Sequence, residues 1–209
     1  MQTEIISIEE EGVFQRACDE LTAGHPIAFP TDTVYGLGTR LDDVEAIEAL
    51  YQIKRRDSAK AIPVLIGDFA QMNLVSPGWS PEAEALALHF WPGALTLVVS
   101  RHSYLPAALS ALPTIGVRMP NHPFALRLLN AIGPMAVTSA NLSGGSNTTT
   151  AEEVFEQLDG LIPLICDGGT CPGGVPSTVV DCSSPELHIL REGAVPSTSI
   201  LEYLNRSTK

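Results

Sequence analysis

Short apolar runs and apolar stripes succeed one another along the chain, and their periods differ. IAFP (27–30) is continuous, apolar and bounded by proline, which predicts a buried strand. AIPVLI (61–66), ALTLVVS (94–100), IGVRM (115–119), MAVTSA (135–140), LIPLIC (161–166), STVVDC (177–182) and LHILRE (187–192) predict further strands. Other segments carry apolar residues at helical spacing. DDVEAIEALYQI (42–53) sets Val44, Ile47, Leu50 and Tyr51 on one stripe, with Asp42 as cap and Glu45 at the capping-box position. SPEAEALALHFW (80–91) opens with Ser80 as N-cap and Pro81 at the first helical position. HPFALRLLNAIG (122–133) closes on Gly133, and TAEEVFEQL (150–158) sets Thr150 three residues before Glu153. TSILEYLNR (198–206) predicts a last helix. Strands and helices alternate without strict βα repetition, and several strands follow one another through loops alone. The pattern predicts an α/β fold on an open, twisted mixed sheet with flanking helices. No repeat, low-complexity tract or linker divides residues 1–209, so one domain is expected.

Composition narrows the function. The 209 residues are 44% hydrophobic, enough for a real core. The formal net charge of -12 argues against a broad nucleic-acid-binding face, though not against one basic pocket. The start, MQTEIISIEEEG, has neither a basic nor a long apolar region, so no leader is expected, and no run reaches the roughly 18 to 20 apolar residues of a membrane span. Cys18, Cys166, Cys171 and Cys182 form no metal-ligand spacing, and free thiols in a reducing cytoplasm are expected.

Against this acidity, Lys54, Arg55, Arg56 and Lys60 gather a third of all Lys and Arg within seven positions. A helix C-terminus accounts for Lys54 and Arg55 through the dipole, less well for Lys60. If residues 54–56 are extended, Lys54 and Arg56 point to one side and Arg55 to the other. Three polar loops follow predicted strands or lead into them: PTDTVYGLG (30–38), TSANLSGG (138–145) and GGVPSTVVD (173–181). Each alone fits an ordinary turn about as well as a site. Arg118 and Arg191 stand inside apolar strand patterns, where a solvent-facing arginine is the commoner case. P-loop, dinucleotide and zinc motifs are absent, and no pairing marks an activated nucleophile. Cations and neutral donors without a nucleophile suit anionic phosphate chemistry.

The same residues carry a family resemblance. PTDTVYGLG, Lys54-x-Arg56, GVRMPNHP, SAN (139–141), PSTVVD and LREGA, in order over about residues 5 to 195, resemble the threonylcarbamoyl-AMP synthase family, with its YrdC-like domain. The resemblance implies a twisted sheet around a large basic cavity. It implies formation of threonylcarbamoyl-AMP and pyrophosphate from L-threonine, bicarbonate and ATP. A separate tRNA threonylcarbamoyl transferase machinery would use the product, with direct tRNA binding weak or absent. It assigns catalysis to Lys54, Arg56, Ser139 and Asn141, with Mg²⁺ at Asn141. ATP would meet Arg56, Lys60, Ser139, Asn147 and Arg191, and threonine would meet Thr33, Thr114, Arg118 and Ser177. Asp57 departs from the proline many members carry there. The chain resembles the short, single-domain form, since long members continue into a linker and second domain. Two other readings are an RNA-binding module of tRNA or rRNA maturation and a synthase acting on another carbamate.

Overall fold

The computed structural model describes residues 2–207. In chain order the elements are β1 (Glu4–Ser7), α1 (Val13–Thr22), β2 (Ile27–Phe29), β3 (Gly36–Arg40), α2 (Val44–Lys54), β4 (Val64–Leu65), α3 (Met72–Val75), α4 (Pro81–Phe90) and β5 (Leu95–Ser100). There follow β6 (Thr114–Arg118), α5 (Pro123–Ile132), β7 (Met135–Ser139), α6 (Ala151–Leu158), β8 (Leu164–Asp167), β9 (Thr178–Asp181), β10 (His188–Arg191) and α7 (Ser197–Ser207). The strands form one mixed sheet in the order β1-β8-β2-β3-β7-β4-β6-β5-β9-β10, with parallel and antiparallel pairs interleaved.

Local chemistry explains several boundaries. Ser80 and Thr150 cap their helices as expected, and Glu153 completes the capping box. At α2 the cap is Asp43, whose carboxylate accepts from Ala46 N at 2.9 Å, because Asp42 is drawn off by Arg40. The strand expected over 61–66 pairs only at Val64–Leu65. Four elements, β1, α1, β3 and the single-turn α3, escape the apolar pattern. β1 is too short to show a period. α1 starts at Gly12 without a capping side chain, and its buried residues are Val13, Ala17 and Leu21 alone. β3 contains Gly36 and Gly38 and reads as loop. There a Cβ at either glycine would come within 2.9 Å of Val137, so the side chains of β7 and β2 fill the space instead.

Alternation along the strands creates two cores. Ala28, Leu37, Val64, Leu95, Leu97, Ile115, Val117 and Ala136 join Ile47 and Leu50 of α2, Leu86 of α4 and Val154 of α6. Ile27, Phe29, Leu65, Met135, Val137, Leu164 and Cys166 face the other way and pack on α1 and α5. On β5 and β6 only one face is apolar throughout. Thr96, Gly116 and Arg118 alternate with core residues and point to the side of α1 and α5. The sheet therefore turns polar groups toward one face, where a cleft opens between the strand-end loops.

Candidate active site

The cleft encloses about 190 Å³. That is below the roughly 300–1,000 Å³ of pockets that enclose a drug-sized ligand. Hydroxyls, an amide and the arginines Arg56, Arg118 and Arg191 share its lining with Val34, Pro63, Leu65 and Val137, and the large basic cavity implied by the resemblance is not seen among the described residues.

One end is built by the loop after β2 and the end of β6. Thr31 Oγ1 accepts from the N–H groups of Thr33 and Val34 and folds the loop back on itself. This buries Thr33, whose Oγ1 accepts from Arg118 Nη1 at 2.9 Å. Arg118 also donates from Nε to Gly93 O at 2.9 Å and from Nη2 to the Asp32 carboxylate. Burial pulls the Arg118 guanidinium below its ordinary range while Asp32 pulls it back up.

The other end is built by the end of β7, the turn after α2 and the start of β9. Ser139 and Asn147 line it, with Arg56 and Arg191. Arg56 donates from Nη2 to Ala61 O at 2.9 Å, and Arg191 clamps Ser177 O with both Nε and Nη2. Ser177 Oγ lies 2.8 Å from Thr96 Oγ1. Partial desolvation and the charge of Arg56 hold Arg191 below the usual guanidinium range, so the two cations share one space. Neither is in an ion pair among the described residues.

Lys54 does not face this space. It is the last residue of α2, 2% exposed, and Arg55 after it turns left-handed at φ 50°. An extended 54–56 segment is therefore ruled out, and Lys54 and Arg56 reach the site by different routes. Lys54 Nζ donates to the main-chain oxygens of Ser139 and Asn141 and to Asn141 Oδ1 at 3.3 Å. In this arrangement it tethers the loop after β7. Burial, then the charge of Arg56, pushes its pKa down to about 8.

Three other expected residues are also placed differently. Lys60 is exposed and outside the cleft, and only its carbonyl takes part, accepting from Arg56 Nε at 3.3 Å. Thr114 begins β6 and pairs with Ser100, about 13 Å of strand from Arg118. Asn141 is buried wiring. Its Oδ1 accepts from Ser139 Oγ and Lys54, and its Nδ2 donates to Leu142 O and Gly145 O. A cation at Oδ1 would sit against the Lys54 ammonium, and no cluster of three or more His, Cys, Asp or Glu suited to a metal occurs among the described residues. The donor set at Asn141 does not fit a resident Mg²⁺.

Thr31, Thr96, Pro63 and Tyr35 also line the cleft. Thr96 had a signal, a hydroxyl at an alternate position of an apolar strand. The glycine-rich loop before β9 crosses the threonine loop closely. A Cβ on Gly173 would lie 2.7 Å from Asp32 O, and Gly174 N donates to Thr33 O at 2.8 Å.

This geometry gives one prediction. Thr33→Val keeps the shape but removes the hydroxyl that accepts from Arg118. If the resemblance holds and this end takes L-threonine, the substitution is expected to weaken that ligand by about tenfold or more and leave ATP unchanged. Titration calorimetry with each ligand is the check, and equal losses for both would move Thr33 out of the amino-acid end.

Residues 19–193 match the Sua5/YciO/YrdC family profile, described as telomere recombination. The chain is 38% identical over 201 residues to a threonylcarbamoyl-AMP synthase of Bacillus subtilis (strain 168), covering 95% of this chain and 58% of that protein. It is 38% identical to the enzyme of that name from Pyrococcus abyssi (strain GE5 / Orsay), covering 91% and 57%. It thus spans under three fifths of the length of these relatives. The crystal structure of P. abyssi Sua5 complexed with L-threonine superposes with a TM-score of 0.93 at 37% identity, over 97% of this chain and 61% of that one. E. coli YciO superposes with a TM-score of 0.84 at 26% identity, over 95% and 98%. By sequence match and by fold, the chain belongs to the Sua5/YciO/YrdC family.

Proposed function

We propose that this chain is an L-threonylcarbamoyladenylate synthase, a nucleotidyltransferase that forms threonylcarbamoyl-AMP and pyrophosphate from L-threonine, bicarbonate and ATP. One observation carries the reading. A single cleft joins a hydroxyl–guanidinium end, Thr33 and Arg118, to an end with two cations that are in no ion pair among the described residues, Arg56 and Arg191. The first end suits a small hydroxylated carboxylate and the second a polyphosphate. The threonine held by the P. abyssi structure and the names of the relatives support the same assignment.

The chemistry then needs position and charge more than a nucleophile. The threonine nitrogen attacks the carbon of bicarbonate, or of the CO₂ it yields, and gives a carbamate with loss of water or a proton. A carbamate oxygen attacks the α-phosphorus, and the bond to the β-phosphate oxygen breaks to release pyrophosphate. Arg56 and Arg191 offset the charge building on the phosphates. Burial pushes the Cys166 and Cys182 thiols up to about 12, which leaves them unreactive. Mg²⁺ is expected to arrive with the nucleotide, as its phosphate complex. The product, a mixed anhydride, would pass to a tRNA threonylcarbamoyl transferase. The net charge of -12 leaves little affinity of this chain for tRNA itself. No helix among the described residues is long and apolar enough to cross a membrane. The free cysteines fit a cytoplasmic setting.

Pyrophosphate release should require threonine and bicarbonate together. Omitting each in turn from a reaction with ATP and Mg²⁺ tests this. Equal ATP cleavage without threonine would remove the synthase reading.

A further inference from the structure

Thr96 and Ser177 both line the cleft, each only 6% exposed, with their hydroxyls 2.8 Å apart. Thr96 belongs to β5, which stands between β6 and β9 in the sheet. On one side Leu97 pairs with Val117, so one step further along these antiparallel strands sets Thr96 opposite Arg118. On the other side Thr96 pairs with Val179, two residues past Ser177. Thr96 therefore stands where the end built on Thr33 and Arg118 meets the end that holds Arg56 and Arg191. The two hydroxyls differ in freedom. The Ser177 backbone is fixed, since its carbonyl accepts from Arg191 Nε and Nη2 and the next N–H donates to Ala94 O at 3.0 Å. Its unbranched side chain still has three rotamers open to it. Thr96 is β-branched and stiff at χ1, and its methyl takes the room beside Gly116, where a Cβ would come within 3.1 Å of it. Ser177 Oγ also lies 3.2 Å from Arg191 Nη2, from which it accepts. Each hydroxyl has one hydrogen to give. One of the two bridges the pair, and the other meets no acceptor among the described residues.

We propose that Thr96 is a positioning residue for the joining step. Its hydroxyl donates to Ser177 Oγ, Arg191 fills the other acceptor position of that oxygen, and the Ser177 O–H is thereby turned into the cleft at the junction of its two ends. The inference rests on the synthase reading above, in which the carbamate oxygen approaches the α-phosphorus at that junction. The approach brings two anionic groups together, and charge builds on the oxygens around the phosphorus. Arg191 meets that charge with a cation, and the locked Ser177 hydroxyl meets it with a neutral donor whose direction is already set. A donor aimed at charge that develops during the reaction acts on kcat more than on the binding of either substrate.

Initial rates of pyrophosphate release by the full chain, with L-threonine, bicarbonate, ATP and Mg²⁺, test this. Thr96→Val keeps the shape and removes the hydroxyl. It should lower kcat by about tenfold and leave KM for ATP and for L-threonine within about threefold. Thr96→Ser, which restores the hydroxyl, should recover most of the rate. Ser177→Ala should cost at least as much as Thr96→Val, and the double variant no more than Ser177→Ala alone, because one residue acts through the other. An unchanged kcat in Thr96→Val overturns the proposal. So does a loss confined to KM for L-threonine, which would put the hydroxyl on the bound amino acid instead of the reacting oxygens. Losses that multiply in the double variant, or a Thr96→Ser protein as slow as Thr96→Val, would make Thr96 a packing residue and overturn it too. Should Thr96→Val fail to fold, Ser177→Ala carries the test, and full kcat there overturns the proposal. A wild type that splits ATP equally well without threonine overturns the synthase reading and the proposal together, whereas the outcomes above, seen on threonine-dependent turnover, overturn the proposal alone.

Discussion

Lys54→Met is expected to lower the rate of the proposed synthase reaction by about two orders of magnitude, the scale of a misplacement of about 1 Å in a site. The melting temperature should move by less than about 4 °C. The ammonium donates to Ser139 O, Asn141 O and Asn141 Oδ1, and so fixes the loop that presents Ser139 to the cleft. Methionine fills the volume but leaves those oxygens without their donor. Against that loss stands the relief of a buried charge, which largely offsets it in stability but not in geometry. The same balance sets a pH dependence. Lys54 has a pKa of about 8 in the fold, below its ordinary 10.5, so the folded chain gives up this proton before the unfolded chain does. Its contribution to stability therefore rises as pH climbs between those values and is lost as pH falls through about 8. Over the same window the amine loses a donor, and the rate should fall. Thermal melts and initial rates across the window check both slopes, and Lys54→Met should show neither. A variant that keeps its rate within a few-fold would show that the tether is dispensable.

Arg56→Ala is expected to cost about 10² to 10³ in rate, the cost of removing one donor to a developing anion. Arg55→Ala should stay within a few-fold, as for a surface charge worth roughly 0 to 1 kcal/mol. The backbone makes the distinction. Arg55 takes the left-handed cap of α2 and is exposed, while Arg56 turns back and anchors on the carbonyls of Lys60 and Ala61 at the cleft. Initial rates for both variants, with circular dichroism to confirm the fold, decide it. Equal damage from the two would mean that the turn supplies only a diffuse positive field.

The sequence determined by itself what depends on neighbours within a few residues. Ser80 and Thr150 were legible as caps because a cap bonds to an N–H three residues on. Most strands and the α/β class were legible because burial of one or both faces writes a period into the chain. Ser139, Ser177, Arg118 and Arg191 were legible as polar groups at apolar strand ends or inside strand patterns, Arg56 as a member of the basic cluster after α2, and the ordered motifs tied them together. Tertiary structure decided the rest. β3 is a strand because Val137 and Phe29 occupy the room its glycines leave, and those residues lie on other strands. Lys54 and Arg56 look equivalent two positions apart. They divide into tether and cleft residue because a left-handed turn separates them and because Ser139 and Asn141, 85 and 87 residues on, come to lie over Lys54. Thr96 lines the cleft and Thr114 does not, because strand pairing sets Thr96 beside Ser177, 81 residues away, while Thr114 starts the far end of its strand. The Asp32–Arg118 pair, 86 residues apart, exists only where the β2 loop meets the end of β6. Such contacts are fixed by sheet register, which no local pattern encodes, and a charge is matched or left unmatched only once the register has chosen its neighbour.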